Sequence, residues 1–205
     1  MDKDAPAAES ARSPVGSRER RTDVAAAYTA GLWVGIIAAG AALLAVFSIV
    51  WHSWRNGISP MPASGPARRA VAAELLRLGP RGTAVEAGSG WGTLALHAAR
   101  RCPGWRLIGI ENSPLPFAVS RLLARGRPGV RFMRGDLFAY PYEDADAVIC
   151  YLYPGAMNRL APLLRRHLAP GACVVSVCFA LPGWTPVRTV VCADLYRTPV
   201  YVYVR

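Results

Sequence analysis

Residues 83–93 read T-A-V-E-A-G-S-G-W-G-T. Glu86 closes a short apolar run, and Gly88, Gly90 and Gly92 follow at alternate positions. Glycines so spaced let the backbone turn tightly and approach a ligand with no Cβ in between. The dinucleotide fingerprint G-x-G-x-x-G is not met, because Thr93 stands where its last glycine would fall. A carboxylate just ahead of the turn disfavours a pyrophosphate and suits a cationic ligand. Two more acids hold similar positions. Glu111 ends L-I-G-I-E-N, roughly 20–25 residues on, where a carboxylate meets a ribose diol. A carboxylate can accept from both hydroxyls, which an amide cannot do. Asp136 ends V-R-F-M-R-G-D-L-F and can accept from an adenine amine, with Leu137 and Phe138 beside the ring. Each acid alone is equally a solvated loop residue or a helix N-cap. Three at the ends of successive apolar runs, after a glycine turn, point to a nucleoside ligand carrying positive charge.

The elements that must position these residues alternate. Strand patterns fall at 84–87, 106–110, 130–134, 147–153 and 173–179. Helical patterns fall at 66–78, 93–101, 116–124 and 156–168. Such alternation predicts an α/β fold with a parallel sheet covered on both faces, and ligands bind at the carboxyl edge of such sheets. Two later strand-like runs, 187–193 and 200–204, follow 179 too closely for a parallel crossover. They are therefore expected as antiparallel strands at a sheet edge.

Tyr151, Tyr153 and Pro154 in C-Y-L-Y-P-G follow the fourth run and are the candidates for an acceptor side. A tyrosine hydroxyl can orient an amine lone pair, and aromatic faces can hold a cation. Strand alternation also accounts for the two tyrosines, one on each face. Trp184 in L-P-G-W-T-P is a candidate cap for the same pocket. His52, His97 and His167 have no nucleophile or acid at a hydrolase spacing, which argues against a catalytic triad. Cys102, Cys150, Cys173, Cys178 and Cys192 contain no C-x-x-C pair, so neither a metal centre nor a disulfide framework is expected.

Residues 1–23 are polar and aperiodic and are read as a disordered tail. Residues 24–54 contain no Asp, Glu, Lys or Arg and are long enough for one transmembrane helix. Trp33 and Trp51 would lie ~27 Å apart along it, near the hydrocarbon thickness of a bilayer, with Tyr28 and Trp54 just beyond. Within it Ala27, Gly31, Gly35 and Ala39 form a small-residue stripe that admits a homodimer. Residues 55–65 read as a Pro/Ser/Gly linker and 66–205 as the folded α/β domain. The net charge of +11 is almost all arginine, since Lys3 is the only lysine. The arginines are scattered, so they read as composition and not as a nucleic-acid surface.

The segments E-A-G-S-G-W-G, G-I-E and G-D-L-F resemble those of class I S-adenosylmethionine-dependent methyltransferases. S-P-M-P-A-S, G-I-E-N-S-P-L-P-F, Y-L-Y-P-G-A-M and F-A-L-P-G-W-T-P narrow this to a membrane-anchored family. Its eukaryotic members methylate lysines of the adenine nucleotide translocase and the ATP synthase c-subunit, and this chain resembles a bacterial relative. The resemblance implies a Rossmann-like class I sheet with antiparallel terminal strands, preceded by one transmembrane helix. It implies S-adenosyl-L-methionine as cofactor, held by Glu86, Gly88, Ser89, Gly90, Gly92, Glu111, Asn112, Asp136 and Leu137. It implies a membrane-associated protein substrate methylated on lysine, with no metal and no nucleic acid. A small-molecule or lipid acceptor, or a non-catalytic membrane scaffold, are the alternatives. The cofactor is cytosolic, so the expected location is the inner (cytoplasmic) membrane, single-pass, with the domain facing the cytosol. Trp91 departs from the family, whose eukaryotic members often carry an acid there.

Overall fold

Gly82–Ala87 (β1) is an interior strand whose Ala84, Val85, Glu86 and Ala87 are all buried. Val85 and Ala87 face one layer, Ala84 the other. The computed structural model describes the backbone of residues 15–56 and 61–205 and the side chains of 27–54 and 61–205. Residues 1–14 of the expected tail and 57–60 of the expected linker lie outside the described residues. The other strands are Trp105–Glu111 (β2), Val130–Arg134 (β3), Ala147–Cys150 (β4), Cys173–Val177 (β5), Arg188–Val191 (β6) and Pro199–Val204 (β7). They form one seven-stranded sheet in the order β3-β2-β1-β4-β5-β7-β6. The β3-β2-β1-β4-β5 part is parallel, and β7 runs antiparallel to both β5 and β6. The antiparallel edge expected from 187–193 and 200–204 is thus present. Strand order reverses between β1 and β4, which opens a crevice at their carboxyl ends.

Helices Gly65–Leu78 (α2), Thr93–Arg101 (α3) and Pro114–Leu123 (α4) serve one face of the sheet, where Val71, Leu75, Leu94 and Phe132 are buried. Helix Pro154–His167 (α5) covers the other with Met157, Leu160 and Leu164. Ser64 caps α2, its Oγ accepting from the Ala67 N–H at 3.2 Å. Strand β4 ends at Cys150, not at residue 153, because Pro154 starts a helix and its predecessor takes extended backbone at φ −69°, ψ 161°.

Two compact units divide the chain, Met1–Val46 and Phe47–Arg205. Helix α1 runs Val15–Asn56, so helical backbone begins ahead of the charge-free stretch at 24. Adding a turn to an existing helix avoids the cost of a new nucleus. Within α1, Ala27–Trp54 is 28 residues long and apolar enough to cross a membrane. It measures about 42 Å at the helical rise. Trp51 stacks on Phe47 with centroids 6.2 Å apart and meets Trp54 at 5.9 Å.

Candidate active site at the carboxyl edge of the sheet

A cavity of about 570 Å³ opens at the crevice, within the range of small-molecule and cofactor sites. Glu86, Gly88, Ser89, Gly90, Glu111, Asn112, Asp136, Leu137, Tyr151 and Tyr153 all line it. Three of these are carboxylates, and Arg159 is the one basic side chain among the lining residues. Acids thus outnumber bases in the lining of a cavity in a strongly basic chain.

The glycine turn holds its shape through backbone bonds. The Ser89 N–H donates to the Ile110 carbonyl at 2.8 Å and the Gly92 N–H to the Ser89 carbonyl at 2.8 Å. Gly88, Gly90 and Gly92 all have positive φ, at 74°, 52° and 75°, where glycine carries no Cβ penalty. Gly92 does not line the cavity. It precedes α3 and leaves room for Phe132, whose Cζ would lie 2.4 Å from a Cβ added there. Its place in the motif is set by packing.

Glu86 is buried, and its Oε2 accepts from the Ala95 N–H at 3.0 Å in the first turn of α3. It thus caps a helix whose own preceding residue has no side chain to do so. Burial pushes its carboxyl up to about 8, the Ala95 bond opposes this, and the nearby Glu111 adds to it. Because the folded value exceeds the ordinary 4.5, the folded state holds this proton more tightly. The contribution to stability is complete below about pH 4.5 and is lost as pH rises towards 8. A bound cation would draw the proton off. Affinity for a cationic ligand should therefore rise up to about tenfold per pH unit below 8, level off above, and become flat in Glu86→Gln. Calorimetry across pH 6–9 checks this.

Glu111 is the best-held acid. Its Oε2 accepts from the Gly90 N–H and its Oε1 from the Ser113 N–H, both at 2.7 Å. Each oxygen keeps a further lone pair for a ligand. Asp136 is exposed, and its Oδ1 accepts from the Phe138 N–H at 2.9 Å. Leu137 is fixed through its carbonyl, which accepts from the Tyr142 hydroxyl at 2.6 Å. The Ser89 Oγ is buried with no hydrogen-bond partner, and it belongs to a residue lining the cavity. Such an atom is costly unless something bound there satisfies it.

On the opposite wall, Tyr151 packs with the α2/α3 layer and Tyr153 with the α5 layer, as strand alternation dictates. Burial, with Cys178 and Asp194 nearby, raises the Tyr151 phenol and keeps it protonated. Pro154 does not line the cavity and serves as the first residue of α5. Trp184 is likewise no cap. Its indole N–H donates to the Ala161 carbonyl at 3.3 Å, and its ring meets Tyr203 edge-on and Arg165 at 5.3 Å.

Arg159, Cys178 and Met61 also line the cavity, though none was a site candidate in the sequence. Arg159 lies 3.8 Å over the Phe138 ring, a contact between α5 and the loop after β3. Cys178 follows β5 with φ 71°, unusual for a residue with a Cβ. Met61 comes from the segment ahead of α2.

Residues 86–188, half of the chain, match the ANTKMT methyltransferase domain family. The adenine nucleotide translocase lysine N-methyltransferase of Mus musculus is 36% identical over 136 residues, 63% of this chain and 58% of that protein. The ATP synthase c-subunit lysine N-methyltransferase of Mus musculus is 33% identical over 113 residues, 53% of this chain and 44% of that protein. The chain thus spans about half the length of these curated relatives. Among solved structures, an RNA methyltransferase from Salinibacter ruber in complex with S-adenosyl-L-homocysteine is 33% identical. Its TM-score is 0.63, covering 70% of this chain and 93% of that one. With its matched segment running from the glycine turn through the acid-lined crevice to β6, this chain belongs to the ANTKMT methyltransferase domain family.

Proposed function

We propose that the chain is a membrane-anchored, S-adenosylmethionine-dependent protein-lysine N-methyltransferase. The observation that carries this reading is the cavity that Glu86, Ser89, Glu111 and Asp136 line together. Its residues fit the cofactor. The buried Glu86 carboxyl favours a cationic neighbour, the buried Ser89 Oγ lacks a partner, and Glu111 has acceptor capacity left beside two N–H donors. In this reading Glu86 and Ser89 hold the methionyl end, Glu111 the ribose hydroxyls, and Asp136 with Leu137 the adenine edge. Asn112 flanks the ribose site. Gly88 and Gly90 let the backbone approach. When bound, S-adenosylmethionine supplies a methyl group activated on sulfonium, so the protein's work is alignment and exclusion of water.

Tyr151 and Tyr153 bound the acceptor side. A neutral Tyr151 hydroxyl can accept from or donate to an incoming amine, and the ring faces favour the methylated cation. An acidic cavity attracts a lysine ammonium, while the apolar wall favours its loss of a proton before transfer. Tyr151→Phe and Tyr153→Phe should lower kcat about 10–100-fold in at least one case, with cofactor affinity unchanged. Stopped-time methylation assays paired with calorimetry separate the two quantities.

The Ala27–Trp54 segment supports the anchor, with its aromatic cluster at one end. We read it as single-pass in the inner membrane, with the domain on the cytosolic side where the cofactor is. A Cβ added at Gly31 or Gly35 would meet nothing within 4 Å, so that stripe has room for the same helix of a second copy. The test is to add methyl-labelled S-adenosylmethionine and the purified chain to membranes and cell extract. Label recovered as methyl-lysine in protein is the expected result. Label confined to lipid, to small molecules or to RNA overturns the lysine assignment. Cofactor binding with no transfer overturns catalysis.

A further inference from the structure

The chain enters the domain at the rim where the cavity opens. Met61 and Ala63 line the cavity, and Ser64 caps the helix that follows. The far end of α2 lies at the opposite rim, where the Gly79 carbonyl accepts from the indole N–H of Trp105 at the start of β2, 3.0 Å away. Residues 55–63 join Trp54, the last of the apolar segment, to Ser64.

Ser64 is also bonded to a distant loop. Its hydroxyl donates to Asp194 Oδ2 at 2.6 Å, in the turn between β6 and β7. That turn is braced from within. The Thr198 N–H donates to Asp194 Oδ1 at 2.8 Å, the Arg197 N–H to the Asp194 carbonyl at 3.0 Å, and the Cys192 N–H to the Thr198 carbonyl at 2.9 Å. Yet this rigid loop holds Leu195 and Tyr196 in solvent, 89% and 84% exposed. They are the two most exposed large apolar side chains among described residues 61–205, well ahead of Met61 and Val187, each 65% exposed. Large apolar side chains held out by a braced turn, next to a basic residue, match the composition of a membrane interface.

We propose that the β6–β7 turn is a membrane-contact surface, with Leu195 and Tyr196 seated in the headgroup region of the bilayer and Arg197 among its phosphates. This rests on the reading of Ala27–Trp54 as the anchor and extends it. The anchor brings the domain to the bilayer, and the turn fixes which rim faces it. Because Asp194 ties that turn to Ser64, three residues beyond Met61, the cavity mouth is presented to lysines at the membrane surface. Free contact with soluble proteins is correspondingly restricted.

The experiment uses the full chain in phosphatidylcholine vesicles containing phosphatidylglycerol and a phospholipid with a photoreactive group near its headgroup. Irradiation and peptide mapping locate the label. Leu122 and Leu123, 56% and 45% exposed at the end of α4, serve as the internal reference. The expected result is label in Ala27–Trp54 and in the turn, with the turn about fivefold or more above the Leu122–Leu123 peptide. Label in the span with the turn at the reference level overturns the proposal and leaves the anchor standing. No label in either overturns both. A Leu195→Asp, Tyr196→Asp variant changes only solvent-facing side chains. It should keep cofactor affinity and span labelling but lose about threefold or more of the lipid label at Met61. Unchanged Met61 label sinks the claim that the turn seats the rim.

Discussion

Glu111→Ala should raise the dissociation constant for S-adenosylmethionine about 100-fold or more. On the proposed assignment the variant would lose two charge-assisted bonds to the ribose diol, each worth about 1.5–3 kcal/mol, and every 1.4 kcal/mol is tenfold. It would also release the Gly90 and Ser113 N–H groups that it now holds at 2.7 Å, loosening the glycine turn and the start of α4. Glu111→Gln separates these roles. Its single carbonyl can still accept on one side, while its NH₂ faces a donor. A loss about midway between wild type and Ala is expected, measured by calorimetry with thermal unfolding run alongside. Unchanged affinity in Glu111→Ala would refute the ribose assignment, whatever the stability.

Gly92→Ala should destabilise the fold by about 2–5 kcal/mol, a large share of the roughly 5–15 kcal/mol that holds a typical domain together. Two costs combine. A left-handed φ of 75° costs a residue with a Cβ about 1–2 kcal/mol. The new methyl would meet Phe132 Cζ at 2.4 Å and Ser120 Cβ at 2.9 Å, and overpacking of that kind costs about 1–3 kcal/mol more. Gly126→Ala is the control, since φ is 70° but nothing lies within 4 Å. It should show only the first cost. Phe132→Leu in the Gly92→Ala background should recover part of the second. Urea unfolding of the set decides it, and equal losses at 92 and 126 would sink the packing account.

The parts legible in the sequence are those encoded by residue type in a short window. The glycine turn, the acids Glu86, Glu111 and Asp136 at strand ends, and the antiparallel finish each follow from local pattern and the reach of the chain. The parts that were not legible depend on contacts between distant segments. Gly92 sits in the motif, yet its role is set by Phe132 from β3. Gly109 answers to the same ring, which an added Cβ would approach to 2.4 Å. Trp184 has the look of a pocket cap in sequence, but the α5 carbonyl of Ala161 and the Tyr203 ring claim it. Pro154 belongs to a helix start that takes precedence over the strand pattern ahead of it. Arg159 over Phe138 joins two elements whose spacing says nothing of their meeting.

The outermost strands are β3 and β6. An uncovered strand offers a ladder of unpaired backbone groups to any other chain in the same state. Here each such strand carries arginine: Arg131 and Arg134 on β3, Arg188 on β6. Arg188 is further anchored to the buried Glu74 carboxylate. Stacking one molecule edge-on against another through β3 would press Arg131 and Arg134 against like charges, and through β6 would strip water from the paired, partly exposed Arg188, which disfavours fibre-like growth. Part of the chain's arginine surplus thus acts as insulation for the two ends of the sheet.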